Sequence, residues 1–347
     1  MQIVLNILQW YQKNKRDLPW RATNNPYYIW LSEIILQQTQ VIQGLNYYHK
    51  FIEFFPTINH LASAKEEDIL KLWQGLGYYS RARNLYKAAQ TVVNDYNGIF
   101  PSTYNEVLKL SGVGPYTASA ITSMAYELPY PVLDGNVYRF IARLYNIDLP
   151  INQPKTYSAF QQILSEMMVN QKPSTFNNAM MEMGAMVCKP VQPLCHNCPV
   201  LSFCEAYKKG SINQLPVKLN KVKVKTRVFN YVYFNVDGAF YMEKRTQKDI
   251  WENMYQLPLI ETNTLIDESE MVLMMNEKQW GDALNIKFEM DLSHQLTHQK
   301  ILVKVWSCYI DNKSFRTEKE WIKVDEDSYK KYPIPKLIEK IVLHLHG

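Results

Sequence analysis

The chain has 347 residues, 47% of them hydrophobic and 20% charged, with a formal net charge of +5. This length predicts about two domains, each large enough for its own core, and the hydrophobic fraction is ordinary for a soluble globular protein. No run approaches 18 uncharged apolar residues, which excludes a membrane-spanning helix. The first twenty residues lack the basic start and small-residue cleavage site of a secretory signal, so a soluble intracellular protein is expected.

Charge is unevenly spread. Residues 1–226 hold 22 Lys and Arg against 14 Asp and Glu, or +8; residues 227–347 hold 16 against 19, or −3. A polyanion partner would be met mainly by the first part, although an ordinary solvated surface reads the same way.

In chain order, Ile3, Val4, Ile7, Leu8 and Tyr11 recur at helical spacing and predict an amphipathic helix ending near KNKR. Pro19 excludes Leu18 from the helical region and puts Trp20 and Arg21 on a loop. Trp30 to Ile42, WLSEIILQQTQVI, predicts a helix that is apolar almost all round yet carries one carboxylate, Glu33. Burial there would raise its pKa, as a general acid near neutral pH requires; the plain alternative is a helix-end Glu reaching solvent. On this helix Glu33, Gln37 and Gln40 would share a face, with Gln38 and Thr39 pointing elsewhere.

LWQGLGYYSRARNL, residues 72–85, places two glycines, two tyrosines and two arginines at a bend. Aromatics beside arginines suit a wedge entering a duplex with cations on phosphates, and such bends also occur in ordinary cores. Thr103 to Glu106 reads as a capping box for a helix running to Ser111. The hairpin Gly112-Val113-Gly114 follows, both glycines being able to take positive φ, and Pro115 starts a second helix. Such a turn offers backbone N–H groups at a helix N-terminus, an anion site for phosphate. Twenty residues beyond Gly114, Asp134-Gly135-Asn136 precedes a helix carrying Val137, Phe140, Ile141 and Leu144.

Cys188, Cys195, Cys198 and Cys204 give C-x6-C-x2-C-x5-C; Cys308 lies far off. Four soft thiolates suit zinc or an iron–sulfur cluster, but zinc ribbons use two C-x2-C pairs and only one is present. Residues 209–226 read as a basic linker. After it RVFNYVYFNVDGAFYMEKR alternates, with Asp237-Gly238 as a hairpin turn, WENMYQLP and KILVKVWSCYI are strand-like, and PIPKLIEKIVLHLH forms a closing helix.

SEIILQQTQV, LSGVGPYTASAI with DGNVYR, and the four-cysteine spacing followed by Lys189-Pro190 together resemble the MutY-type adenine DNA glycosylases of the helix-hairpin-helix, iron–sulfur superfamily. The resemblance runs from Trp10 to about residue 345. It implies an α+β multidomain chain: an all-α helix-hairpin-helix glycosylase domain with its iron–sulfur cluster loop over 1–208, the linker 209–226, and an α/β Nudix-like recognition domain over 227–347. A hydrolase of the latter fold needs a glycine-bounded, glutamate-rich metal box, which is missing, so a recognition module is expected.

The resemblance further implies an enzyme that excises adenine mispaired with 8-oxoguanine or guanine from double-stranded DNA, as a monomer in the bacterial cytoplasm at the nucleoid. Glu33 and Asp134 become the catalytic carboxylates, Tyr116 orients the intermediate or water, and Asn136 holds Asp134. Arg16, Trp20, Arg21 and Asn178 surround the extruded adenine. Gln37, Gln38, Thr39, Tyr78, the Gly112–Gly114 hairpin and Lys189 contact DNA, and the four cysteines hold a [4Fe–4S] cluster. Leu296-Thr297-His298 stands where the family has Phe-Ser-His sensing the oxidised guanine; the hydroxyl and histidine are kept and the aromatic is missing. No Lys occurs from Leu110 to Arg139, where strand-cleaving relatives carry a nucleophile, so base removal without strand cleavage is expected. The alternatives are an endonuclease III-like pyrimidine lyase, disfavoured by Tyr116, and a non-enzymatic iron–sulfur DNA-binding protein, which needs no acidic pair.

Overall fold

The computed structural model describes residues 2–219, 224–236, 238–280, 285–309, 315–318 and 320–346. The chain divides into two compact units, Met1–Ser63 with Asn84–Asn220, and Ala64–Arg83 with Lys221–Gly347.

The first unit is helical. The amphipathic helix Gln2–Asn14 forms as its periodicity predicts and buries Val4, Ile7 and Tyr11. These pack with Val137, Phe140, Ile141 and Leu144 of helix Gly135–Leu144, and with Phe160, Leu164 and Phe176 of two later helices. Burying such side chains is worth about 1.5–3 kcal/mol each, so this cluster anchors the unit.

Helix Pro26–Leu36 starts with Pro26 and with Asn25 Oδ1 accepting the Tyr27 N–H, and is buried on nearly every side. It ends at Leu36, six residues before the predicted Ile42. Gln38 turns the chain at φ +58°, Thr39 N–H bonds Leu36 O, and a new helix runs Val41–Phe54. Gly44 of the second helix packs on the end of the first, where a Cβ would lie 2.6 Å from Leu36 Cδ2, the tip of a side chain that would have to shift. Gln40 therefore precedes the second helix and does not share the Glu33 face.

The predicted helix ending at Ser111 is a single turn, Tyr104–Val107, started as expected by Thr103, whose hydroxyl accepts the Glu106 N–H. The segment then turns at Gly112, φ +76°, against Asn84, whose Cβ would stand 2.7 Å from any Cβ added there. Gly114 is extended at φ −97° and uses no left-handed geometry; it caps helix Pro115–Tyr126.

The second unit is built on a seven-stranded sheet: β1 Lys225–Val236, β2 Ala239–Lys244, β3 Tyr255–Gln256, β4 Leu259–Thr262, β5 Asn285–Gln295, β6 Gln299–Tyr309 and β7 Trp321–Val324. The order is β3-β2-β1-β6-β5, with β4 pairing β1 and β7 pairing β2; β1 and β6 run parallel. β1 was expected to alternate, but seven consecutive residues, Val228 to Phe234, are buried. The reason is its central position, with side chains covered on both faces. Val232, Phe234, Met271, Met275, Trp280, Trp306 and Trp321 form the core on one side. Asp237 of the predicted hairpin lies outside the described residues; Gly238 has φ +73° and Val236 pairs with Ala239. WENMYQLP yields only the two-residue β3, because Trp251 and Asn253 take positive φ and break the strand. Lys225 and Thr226, read as linker, belong to β1, and 220–223 lie outside the described residues. The closing helix forms over Lys336–His346. Among the described residues no helix is long and apolar enough to cross a membrane.

Candidate active site

In the first unit a cavity of about 370 Å³ gathers residues from five stretches of sequence. Arg16, Trp20, Arg21, Glu33, Gln37, Gln38, Thr39, Tyr116, Asp134, Asn136 and Asn178 all line it.

Glu33 sits on the buried helix with 8% of its surface exposed, and the Tyr116 hydroxyl donates to its Oε2 at 2.7 Å. Burial pushes the Glu33 carboxyl up to about 7; the Tyr116 hydrogen bond works against this, and Asp134 adds to it. Burial, with Glu33 and Asp134 nearby, holds the Tyr116 phenol well above its usual range, so it stays a donor.

Asp134 caps its helix. Its Oδ1 accepts the Val137 N–H at 2.7 Å and its Oδ2 accepts from Asn136 Nδ2 at 2.7 Å. Asn136 Oδ1 in turn accepts from Arg139 Nη2 at 2.8 Å, and that nitrogen also donates to Gly184 O at 2.7 Å. Burial raises the Asp134 carboxyl, and the Val137 and Asn136 donors, then Arg139, oppose the rise. Gly184 lies in a wide π-type turn, Met183–Val187, that continues helix Pro173–Glu182. A Cβ at Gly184 would fall 2.5 Å from Asn136 O, so the turn reaches the Asp134 loop only because glycine stands there.

Sequence reasoning missed Glu182, which is fully buried on the same cavity. Its carboxylate accepts Arg16 Nε at 2.8 Å, Arg16 Nη2 at 2.7 Å and Arg21 Nη2 at 2.6 Å. Burial pushes the carboxyl up, but these donors outweigh it and hold the group down at about 2. The clue was available: a lone carboxylate in the apolar run AMMEMGAM, the pattern that singled out Glu33. Asn178 Oδ1 accepts from Arg21 Nε at 3.1 Å. Trp20 is buried, its ring edge-on to Tyr48 with centroids 5.1 Å apart. Gln37 donates to the Thr117 hydroxyl at 3.3 Å, while Gln38 is exposed.

The hairpin and the cysteine loop lie outside this lining. Val113 is buried, and beside Gly114 the space is open. Cys188, Cys195, Cys198 and Cys204 line one small, mostly apolar cavity with Arg143, whose Nη1 lies 3.5 Å from Cys188 Sγ. Burial and the neighbouring cysteines raise the Cys198 thiol to about 11, against the Val200 N–H. Among the described residues no three His, Cys, Asp or Glu converge as around a single metal ion. Lys189 is half-buried beside Cys188 and its carbonyl accepts from Arg143.

In the second unit Tyr78, Leu296, Thr297 and His298 line a cavity of about 520 Å³. Residues 296–298 form the turn joining β5 to β6. Tyr78 is 45% exposed and sits at φ +48° between Gly77 at +72° and Ser80; its hydroxyl is hydrogen-bonded to that of Thr297. The two arginines expected on phosphates are engaged otherwise. Arg81 is buried, with its guanidinium over Trp73 and donating to Gly77 O, and Arg83 pairs with Glu252 at 2.9 Å.

The model of HhH-GPD superfamily base excision DNA repair proteins matches residues 31–166, and that of the NUDIX domain matches residues 230–344. An adenine DNA glycosylase of Buchnera aphidicola subsp. Acyrthosiphon pisum is 35% identical over 279 residues, 80% of this chain and 77% of that protein. One from Homo sapiens is 42% identical over 222 residues, 60% of this chain and 40% of that protein. Among solved structures, a thermostable thymine-DNA glycosylase superposes with TM-score 0.55 at 29% identity, covering 59% of this chain and 95% of its own. An endonuclease III shares the fold, with TM-score 0.52 at 22% identity over 60% of this chain and 94% of its own. The helical unit is thus that of a DNA glycosylase with a Nudix-like second domain, and the chain belongs to the family of MutY-type adenine DNA glycosylases.

Proposed function

We propose that this chain removes adenine mispaired with 8-oxoguanine, and with guanine, from duplex DNA without cutting the strand. The observation that carries the reading is the arrangement of Glu33, Tyr116 and Asp134 on one cavity, where burial pushes the Glu33 carboxyl up to about 7. A base must leave the stack to be hydrolysed, which costs a few kcal/mol and least at a mispair. Glu33, protonated near neutral pH, gives its proton to a ring nitrogen of the extruded adenine, so that the C–N bond breaks with a neutral leaving group. The sugar becomes an oxocarbenium ion. Asp134 meets this cation as a carboxylate, the form that the Val137 N–H and Asn136 Nδ2 donors favour against its burial. Water adds at the sugar carbon and its proton returns to Glu33, leaving an abasic sugar and free adenine. Two carboxylates with split roles are the logic of glycoside hydrolysis.

Tyr116 orients Glu33 and the incoming water, and Asn136 holds Asp134. Arg16, Trp20, Arg21, Asn178 and Glu182 form the adenine pocket. Gln38 and Tyr78 fill the vacated duplex, Gln37 and Thr39 contact the DNA beside them, the Gly112–Gly114 hairpin and Lys189 face phosphates, and Leu296, Thr297 and His298 face the oxidised guanine. The absence of Lys from Leu110 to Arg139 supports base removal alone. Catalysis belongs to 1–208 and recognition of the opposite base to 227–347, joined by 209–226. The protein acts as a monomer at the nucleoid.

The four cysteines fit a [4Fe–4S] cluster: they line one small apolar cavity beside Arg143, and four thiolates are the donor set such a cluster takes. Such a cluster would brace the loop and take no part in the proton transfers above. A labelled duplex with adenine opposite 8-oxoguanine tests the function. Breakage at the adenine only after alkali is expected. Breakage without alkali would favour a lyase, and none under either condition would defeat the reading.

A further inference from the structure

The segment Ala64–Arg83 belongs to the sheet-containing unit, although in sequence it lies inside the helical part. Polar contacts hold it at both ends. In helix Glu66–Trp73, the Glu67 carboxylate accepts Lys244 Nζ at 2.6 Å and the Tyr255 hydroxyl at 2.9 Å. Glu66 accepts Asn253 Nδ2 at 2.8 Å, and Lys71 donates to Tyr332 O at 3.1 Å. At the other end Arg83 forms an ion pair with the Glu252 carboxylate at 2.9 Å and donates to the Glu252 carbonyl at 3.0 Å. Between the two anchors the chain makes its left-handed turn through Gly75, Gly77 and Tyr78. All the partners come from β2, β3 with the residues just before it, and the stretch before the closing helix.

We infer that Glu67, Arg83, Lys244 and Glu252 are positioning residues that set the placement of Tyr78, so that the Nudix-like module fixes the aromatic that enters the duplex. The inference rests on the reading of Tyr78 given above. The turn has local hydrogen bonds of its own, such as Trp73 Nε1 and Arg81 Nη2 to Gly77 O, but no helix or strand ladder, so where it sits depends on what fixes its ends. Arg83–Glu252 and Glu67–Lys244 fix both. None of the four lines the cavity that holds Glu33 and Asp134. Their loss should therefore act on duplex engagement and leave the chemical step alone.

The test is a reciprocal charge exchange in the full-length protein. Glu252→Arg sets two guanidinium groups against each other; Arg83→Glu with Glu252→Arg restores an opposite pair. Each is measured for KM and single-turnover rate on the A:8-oxoguanine duplex, beside Tyr78→Ala, with hydrogen exchange of residues 74–80. The single exchange is expected to raise KM by about tenfold, comparable with Tyr78→Ala, to leave the saturated single-turnover rate within about twofold, and to speed exchange in the loop. The double exchange should recover most of the KM and the protection. An unchanged KM for the single exchange while Tyr78→Ala raises it would overturn the inference, as would a double exchange no better than the single. If Tyr78→Ala itself leaves KM unchanged, the role of Tyr78 fails, whatever the hydrogen exchange shows about the anchors.

Discussion

Glu33 and Glu182 line the same cavity, and their carboxyls are displaced in opposite directions, one to about 7 and the other to about 2. Both are buried. The difference is that Glu182 is met by two guanidinium groups, whereas Glu33 receives one phenol hydroxyl. The site thus keeps one carboxyl ready to give a proton at neutral pH and the other permanently charged.

Tyr116→Phe tests the phenol's part in this balance. Its hydrogen bond lowers the Glu33 carboxyl, so removing it should raise that group further and move the alkaline fall in excision rate to higher pH. The maximal rate should drop by about tenfold or more as the acid loses its orientation. A pH–rate profile of single-turnover excision reads both effects.

Glu182→Ala leaves Arg16 and Arg21 without their shared partner, and should cost about 3–5 kcal/mol of stability in chemical denaturation. In the native chain the Glu182 carboxyl lies below its ordinary 4.5, so its contribution, about 3 kcal/mol, is complete above that pH and lost as pH falls toward 2. The stability difference between the native chain and Glu182→Ala should accordingly shrink on acidification below about pH 4.5.

Gly184→Ala places a methyl 2.5 Å from Asn136 O, where backbone must move. The expected cost is about 1–3 kcal/mol in stability. The rate should fall by more than the stability loss explains, since Asn136 donates to Asp134. Comparing the melting shift with the single-turnover rate at a temperature where the variant stays folded separates the two.

Part of this arrangement was legible in the sequence. The apolar helix around Glu33 left burial and a solvent-reaching helix end both open, and the resemblance of SEIILQQTQV singled the residue out; Asp134 stood out before Gly-Asn and an apolar helical period. The break after Leu36 was not legible, because QQTQV carries no Gly or Pro. It is made by Gln38 at φ +58° and by the Thr39 N–H bonded to Leu36 O, a turn that no residue type there announces. The engagement of Arg81 and Arg83 was equally hidden, since their partners Trp73 and Glu252 make a cation–π contact and a salt bridge that composition cannot announce. Glu182 was legible and overlooked.

Cys198→Ser should lower iron and inorganic sulfide per purified chain and bleach the visible absorbance. Loss of the bracing loop should also lower the melting temperature by several degrees, roughly the effect of 1–2 kcal/mol in a chain this size. A chain with full iron content and unchanged melting would show that this thiol holds no cluster.

The central claim is that Glu33 supplies the proton. The most direct measurement is single-turnover adenine excision from the A:8-oxoguanine duplex across pH, for the native chain and for Glu33→Gln, which preserves shape but has no acidic proton. The native rate should fall as pH rises through about 7, where Glu33 loses its proton. The variant should be slower by about 10²-fold or more and lack that fall. A variant that matches the native rate, with the same alkaline decline, would assign the acid to another group.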